Sequence, residues 1–259
     1  MQLKRRSVLS GMAAAAACPI CLASGVSAEE AHGGHEKHWT YEGDTGPEHW
    51  GELKPDYKSC SIGTQQSPIN LAKPVHASLS QLVLNWKPFP LTVSHNGHTI
   101  VVNIPPGNTT TEGDGEVFNL IQFHIHHPSE HLVDGKTFAL EAHFVHFNEK
   151  KDAALVIGVF MSEGASNESW ASVFANMPKE KGDTKTTLTL DATKLLPTNH
   201  DRYRYEGSLT TPACGEIVHW NVLKVPMTAT ADQIKAVGAL FSNNARPVLP
   251  LNRRFLLDG

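Results

Sequence analysis

The chain carries Gln122-Phe123-His124-Ile125-His126 and, further on, Glu141-Ala142-His143, a pattern suited to holding one metal ion. Side chains alternate along a β-strand, so histidines two apart project from the same face. His124 and His126 can therefore converge on one point, and a neighbouring strand carrying His143 closes a three-nitrogen site. Three neutral imidazoles with a fourth position open suit catalytic zinc, whereas structural zinc is usually held by four protein ligands. The expected chemistry is that of a zinc enzyme with one Zn2+ per chain.

Gln122 shares a strand face with both histidines, and Glu141 shares one with His143. A metal-bound imidazole needs an acceptor on its other nitrogen, which fixes the tautomer and raises ligand basicity. Gln122 and Glu141 are the candidates for that task. A bare His-x-His says little; the third histidine and two phased polar partners make the signal specific.

Those histidines need strands, and the surrounding pattern supplies them. Leu91-Thr92-Val93, Ile100-Val101-Val102 and Phe138-Ala139-Leu140 read as short strands between turn residues. Leu155 to Phe160 is a continuous apolar run suited to a central strand buried on both faces. Two helices stand out. Trp170, Val173, Phe174 and Met177 recur at helical spacing, with Ser166 or Asn167 as cap and Pro178 beyond the end. Thr230 with Gln233 fits a capping box ahead of Ile234, Val237 and Phe241. The charged stretch from Lys179 to Thr187 is expected to be a solvated loop.

Residues 1–28 read as an export signal: basic Lys4-Arg5-Arg6, an alanine-rich run to about Leu22, then Val26-Ser27-Ala28 as cleavage site. The paired arginines resemble a twin-arginine signal, with ordinary secretion as the alternative. Cys18 and Cys21 fall inside this segment, which leaves Cys60 and Cys214 in the exported chain. An even count in an oxidising compartment favours a disulfide; the alternative is two unpaired, buried thiols. Periplasmic or secreted residence is expected, with no membrane attachment after cleavage. Residues 29–38 are polar, glycine-containing and histidine-rich, and are expected to form a flexible N-terminus.

The remainder, about 230 residues, is long enough for one well-buried core. With 22 basic against 26 acidic residues the net charge is −4, and no basic stripe is present. That argues against nucleic acid as a partner.

Several motifs in register identify a resemblance running from His38-Trp39 to the carboxyl end: Gly46-Pro47-Glu48-His49-Trp50, Gln66-Ser67-Pro68-Ile69, Asn96-Gly97-His98, Pro128-Ser129-Glu130-His131, Glu141 to His146, Gly207 to Pro212, and Arg246-Pro247 with Pro250-Leu251-Asn252. Together they resemble the α-class carbonic anhydrases, of the exported bacterial type. The resemblance implies one catalytic domain over 39–259. Its fold would be mainly β with some α (α+β): a large, twisted, mostly antiparallel central sheet with a few short peripheral helices. It implies reversible hydration of carbon dioxide to bicarbonate and a proton, by attack of a zinc hydroxide held on His124, His126 and His143. By the same match, sulfonamides and small anions would inhibit.

Further roles follow from the match alone. Thr210 would orient the nucleophile by passing its hydroxyl proton towards Glu130. Val145, Val156, Leu209, Thr211, Val218 and Trp220 would line an apolar pocket for an uncharged linear substrate. His98 would shuttle protons, titrating near neutrality. A group of pKa ~7 releases protons to water at only ~10³ s⁻¹ when their recombination is diffusion-limited. The order of 10⁶ s⁻¹ known for the family needs a faster route. Tyr41 and Asn96 would order the linking waters, and His95 stands beside the shuttle as a second titratable group. His131 and His146 match structural histidines, His127 should point away from the metal, and Cys60 and Cys214 match a disulfide pair. Two other functions compete: a catalytically silent, zinc-binding periplasmic protein, and a zinc carrier suggested by the histidines at His32–His38. Silent relatives usually lack a zinc histidine, and here all three are present.

Overall fold

A computed structural model describes residues 38–112 and 115–259. The export signal, the Cys18/Cys21 pair and the 29–38 segment up to His38 lie outside the described residues. Eight strands carry the architecture: β1 Phe89–His95, β2 Ile100–Asn103, β3 Glu116–His126, β4 Leu140–Phe147, β5 Ala154–Glu163, β6 Gly182–Leu190, β7 Arg202–Gly207 and β8 Val218–Ala229. In the main sheet they lie in the order β6-β1-β2-β3-β4-β5-β8-β7, with Leu257–Asp258 and Val75–His76 beyond β7. Pairing along this order is antiparallel except between β5 and β8 and between the last two short strands. The result is a large, mostly antiparallel mixed sheet with few short helices.

β5 is buried from Ala154 to Met161, as a strand covered on both faces must be. In β4 the alternation divides two environments. Leu140, Ala142 and Phe144 join the larger apolar cluster with Phe123 and Trp170. Val145 joins a second cluster with Val156, Val218 and Trp220 on the opposite face. Glu141 and His143 share that second face, which is how a fully buried strand carries polar groups to one point.

The helices α1 (Glu168–Phe174) and α2 (Ala231–Leu240) cover the larger cluster through Trp170, Val173 and Val237. Of the two candidate caps for α1, Asn167 takes the role, accepting from the Trp170 N–H, and the helix stops short of Met177. The Thr230–Gln233 capping box forms with both of its hydrogen bonds. Among the described residues, no helix is long and apolar enough to cross a membrane.

Three expectations are settled here. The solvated loop read over Lys179–Thr187 is instead mostly strand, because β6 pairs with β1 from Gly182↔His95 to Leu190↔Phe89. β6 is an edge strand, largely exposed, and edges carry charged residues that discourage further pairing, so its composition imitates a loop. The strand read over Phe138–Leu140 begins only at Leu140; Phe138 lies ahead of it, stacked on Phe160 at 4.2 Å. Cys60 and Cys214 form the disulfide, which excludes the two-thiol alternative. It packs with Trp50, beneath the loop of Thr210 and Thr211.

Candidate metal centre

His124 and His126 lie two apart on β3, and His143 on β4 is the register partner of His124. Each ring has one nitrogen fixed by an acceptor. His124 Nδ1 meets Gln122 Oε1 at 2.9 Å, His126 Nδ1 meets the Asn244 carbonyl at 2.7 Å, and His143 Nε2 meets Glu141 Oε1 at 2.9 Å. These partners are acceptors, so the fixed nitrogens carry the N–H and the opposite ones present lone pairs. One ligand nitrogen from each ring lies within 4.8 Å of the others.

His126 Nε2 is fully buried and has no hydrogen-bond partner. An unmatched buried polar atom costs about 1–3 kcal/mol. Three neutral imidazole lone pairs facing one point are a donor set for a divalent cation, and their chemistry fits zinc. Burial, then the neighbouring His126 and His143, hold the His124 pKa well below its ordinary value. Burial likewise lowers His126 against the opposing pull of Glu130. Both therefore stay neutral, as ligands must.

Glu141 is the hub of the arrangement. Its Oε2 accepts from the backbone N–H groups of Glu130 and His131 at 2.9 Å, and its Oε1 meets His131 Nδ1 at 2.7 Å as well as His143. Burial works to raise its pKa, but His131 and His143 outweigh it and keep the carboxyl well below the usual range. Gly158, opposite His143 in register, leaves room for this carboxylate; a Cβ there would sit 3.1 Å from Glu141 Oε1.

A cavity of about 190 Å³ that reaches His124 and His143 is walled by Val145, Val156, Leu209, Thr211 and Trp220, with Thr210 and Gln122 also in its lining. Val218 does not reach this lining; it is buried behind the wall, in the cluster that contains Val145 and Trp220. Its alternation along β8 is shared with Trp220, whose far larger ring reaches the cavity. Ile121 and Phe147 line the cavity as well. Phe147 continues the face of His143 and Val145, which spacing could have shown. Ile121 is the extra residue of a bulge between Leu120 and Gln122, which breaks the period of two.

Glu130 Oε1 accepts from the Arg246 backbone N–H at 2.8 Å. Its Oε2 is buried without a hydrogen bond, so the Thr210-to-Glu130 bond implied by the resemblance is not made in this structure. That oxygen lies instead 3.5 Å from His126 Nε2 and 3.7 Å from His143 Nδ1, drawn towards the point where positive charge would sit. Asn244 has no counterpart in the sequence reading. It lies 118 positions from His126, and no short-range pattern marks a backbone carbonyl as a partner.

Among the outer residues, His98 departs from expectation and His127 meets it. His98 stacks on Trp39 with ring centroids 3.7 Å apart and meets His38 Nε2 to Nε2 at 2.7 Å. Burial first, then His38 and Lys181, push its pKa down to about 4, below the near-neutral value expected of a shuttle. Asn96 Oδ1 is committed to the turn, accepting from the N–H groups of His98 and Thr99. Tyr41 packs edge-on against Trp39 and Trp50, and burial, then Glu130, raises its pKa well above 10, keeping it a neutral phenol. His95 packs on Phe241, its Nδ1 taken by the Gly97 N–H. His127 turns away from the site to the carbonyls of Phe241 and Ser242.

Known proteins match this chain almost end to end. The family model for eukaryotic-type carbonic anhydrase covers residues 45–257. A carbonic anhydrase of Neisseria gonorrhoeae is 42% identical over 240 residues, 92% of this chain and 94% of the relative. One from Pectobacterium carotovorum is 44% identical over 225 residues, 85% of this chain and 90% of that protein. The solved α-carbonic anhydrase of Thermovibrio ammonificans, in complex with the inhibitor sulfanilamide, superposes with a TM-score of 0.81 at 43% identity, covering 85% and 98% of the two chains. With its sheet, its buried histidine trio and matches of this extent, the chain belongs to the eukaryotic-type, or α, carbonic anhydrase family of lyases.

Proposed function

We propose that this chain catalyses the reversible hydration of carbon dioxide to bicarbonate and a proton, with one zinc ion held by His124, His126 and His143. The observation that carries the reading is the set of three imidazole lone pairs facing one point, each ring anchored through its other nitrogen. Bound there, zinc supplies the Lewis acidity that brings the pKa of a coordinated water towards neutrality, as in carbonic anhydrases generally.

The protein's own groups supply the rest. Val145, Val156, Leu209 and Trp220 give a linear, uncharged substrate an apolar seat beside the ligand rings. Thr210 lines the cavity, buried, where its hydroxyl can orient the attacking oxygen once it donates a hydrogen bond to Glu130 Oε2. Arg246 fixes the other oxygen of Glu130, leaving Oε2 for that purpose. His98 carries the released proton from the rim to solution, with Tyr41 beside it along the same cleft.

Sulfonamide anions and small anions are expected to bind in the zinc's open position. The basic-then-apolar start of the chain and the Cys60–Cys214 disulfide support an exported, periplasmic or secreted protein. Stopped-flow carbon dioxide hydration on the zinc-loaded protein tests the reading. Fast, sulfonamide-sensitive hydration is expected; background-level hydration with zinc fully bound would leave the catalytically silent alternative.

A further inference from the structure

Outside the metal centre, the described residues hold another close pair of histidines, of which the proposed reaction uses His98 and leaves His38 without a role. His38 and His98 face each other Nε2 to Nε2 at 2.7 Å, with ring centroids 4.8 Å apart. Two imidazoles at that distance hold one proton between them; two charged rings, each with an N–H there, would collide proton to proton. The pair is built rather than accidental. Trp39 stacks on the inner ring within 13° of parallel, and Asn96 Oδ1 pins the His98 backbone. Lys181 lies across Gly97, whose φ of +98° and lack of a side chain make room for it. His38 is the exposed member, His98 the half-buried one, and both line an open cleft of about 550 Å³ with Tyr41, Lys181 and Asn243.

We propose that His38 is a second proton carrier acting through His98, so that protons leave the catalytic cavity along a two-histidine relay. The inference rests on the reading of His98 as the shuttle. With both rings neutral, the shared proton sits on His98 Nε2 and His38 holds its own on Nδ1. A proton reaching His98 Nδ1 is matched by transfer of the shared proton to His38 Nε2. His38 then loses its Nδ1 proton to a weak base in solution, so one N–H bond forms and one breaks on each ring. The rings reset by exchanging tautomers through water, or when the reaction runs towards carbon dioxide. The surroundings of His98 favour release: burial foremost, then His38 and Lys181. Their common effect is to keep charge from resting on the inner ring.

The test uses zinc-loaded wild type, His38→Ala, His98→Ala and the double variant, compared by stopped flow in weak and strong buffer. In weak buffer His38→Ala should lose about threefold or more in kcat, keep its kcat/KM, and recover with added imidazole. The double variant should be no slower than His98→Ala, because the two act in one path. Full-speed His38→Ala in weak buffer, or a double variant slowed by the product of the two single effects, overturns the relay. A full-speed His98→Ala removes the shuttle reading itself and the relay with it, and is told apart from failure of the relay alone by that variant's own rate.

Discussion

His143 Nε2 lies 2.9 Å from Glu141 Oε1, and both side chains come from the same face of one buried strand. The contact fixes which imidazole nitrogen faces the metal, and it places a full negative charge one hydrogen bond behind it. An anion there raises the ring's basicity and disfavours rotation of the ligand out of position. Glu141→Ala should therefore weaken zinc binding about 10–100-fold while the chain stays folded. Zinc affinity measured by competition with a chelator checks this, and an unchanged affinity would mean that the carboxylate serves only packing.

Thr210 is placed for orientation, not for metal binding. Thr210→Val keeps the volume and removes the hydroxyl, so zinc should remain while kcat/KM for hydration falls about 10²-fold, the scale of one lost orienting donor. Zinc content measured beside the rate separates the outcomes. Loss of metal, or an undiminished rate, would contradict the role.

The Cys60–Cys214 bridge joins positions 154 apart and braces the loop that carries Thr210. Next to it the Cys214 N–H donates to the Thr211 carbonyl at 2.8 Å, and the Leu209 N–H to the Gly215 carbonyl at 3.0 Å. Replacing both cysteines by serine should cost about 2–5 kcal/mol in urea unfolding. Because the brace and the orienting hydroxyl share one loop, turnover should fall with stability even under folding conditions. Equal turnover would show that the loop holds its shape unaided.

His146 gives the pH dependence. Its Nδ1 faces the carbonyls of Phe144 and Leu155 and so carries the N–H, while Nε2 takes the Thr110 hydroxyl, which itself accepts from the Trp86 indole. Burial pushes its pKa from 6.5 to about 4, against a smaller upward pull from the carbonyls. Between those values the unfolded chain binds the extra proton and the folded chain does not, so stability is lost as pH falls from 6.5 to about 4. The full loss is about 3 kcal/mol. His146→Gln, although less stable at pH 7, should lose less on acidification; urea midpoints at pH 7 and 4.5 decide, and parallel losses would refute the assignment.

Much of the inner site was legible because it rests on short-range rules. Alternation along two strands brings His124, His126, His143, Gln122 and Glu141 onto one face, and spacing alone shows it. What the sequence hid was long-range or irregular. The Asn244 carbonyl reaches His126 from a distant segment, the bulge at Ile121 breaks the period, and β6 looks like a loop because an edge strand is clothed for solvent. The depressed pKa of His98 comes from Trp39, His38 and Lys181 meeting in space, which no local motif records.

The central claim is that three imidazoles hold one zinc ion, and metal analysis of the purified, folded chain tests it most directly. The wild type should carry one zinc per chain, and an equally folded His143→Ala variant should carry almost none after brief dialysis against a chelator. A folded wild type free of zinc, or a His143→Ala variant that retains the full complement, would contradict the account.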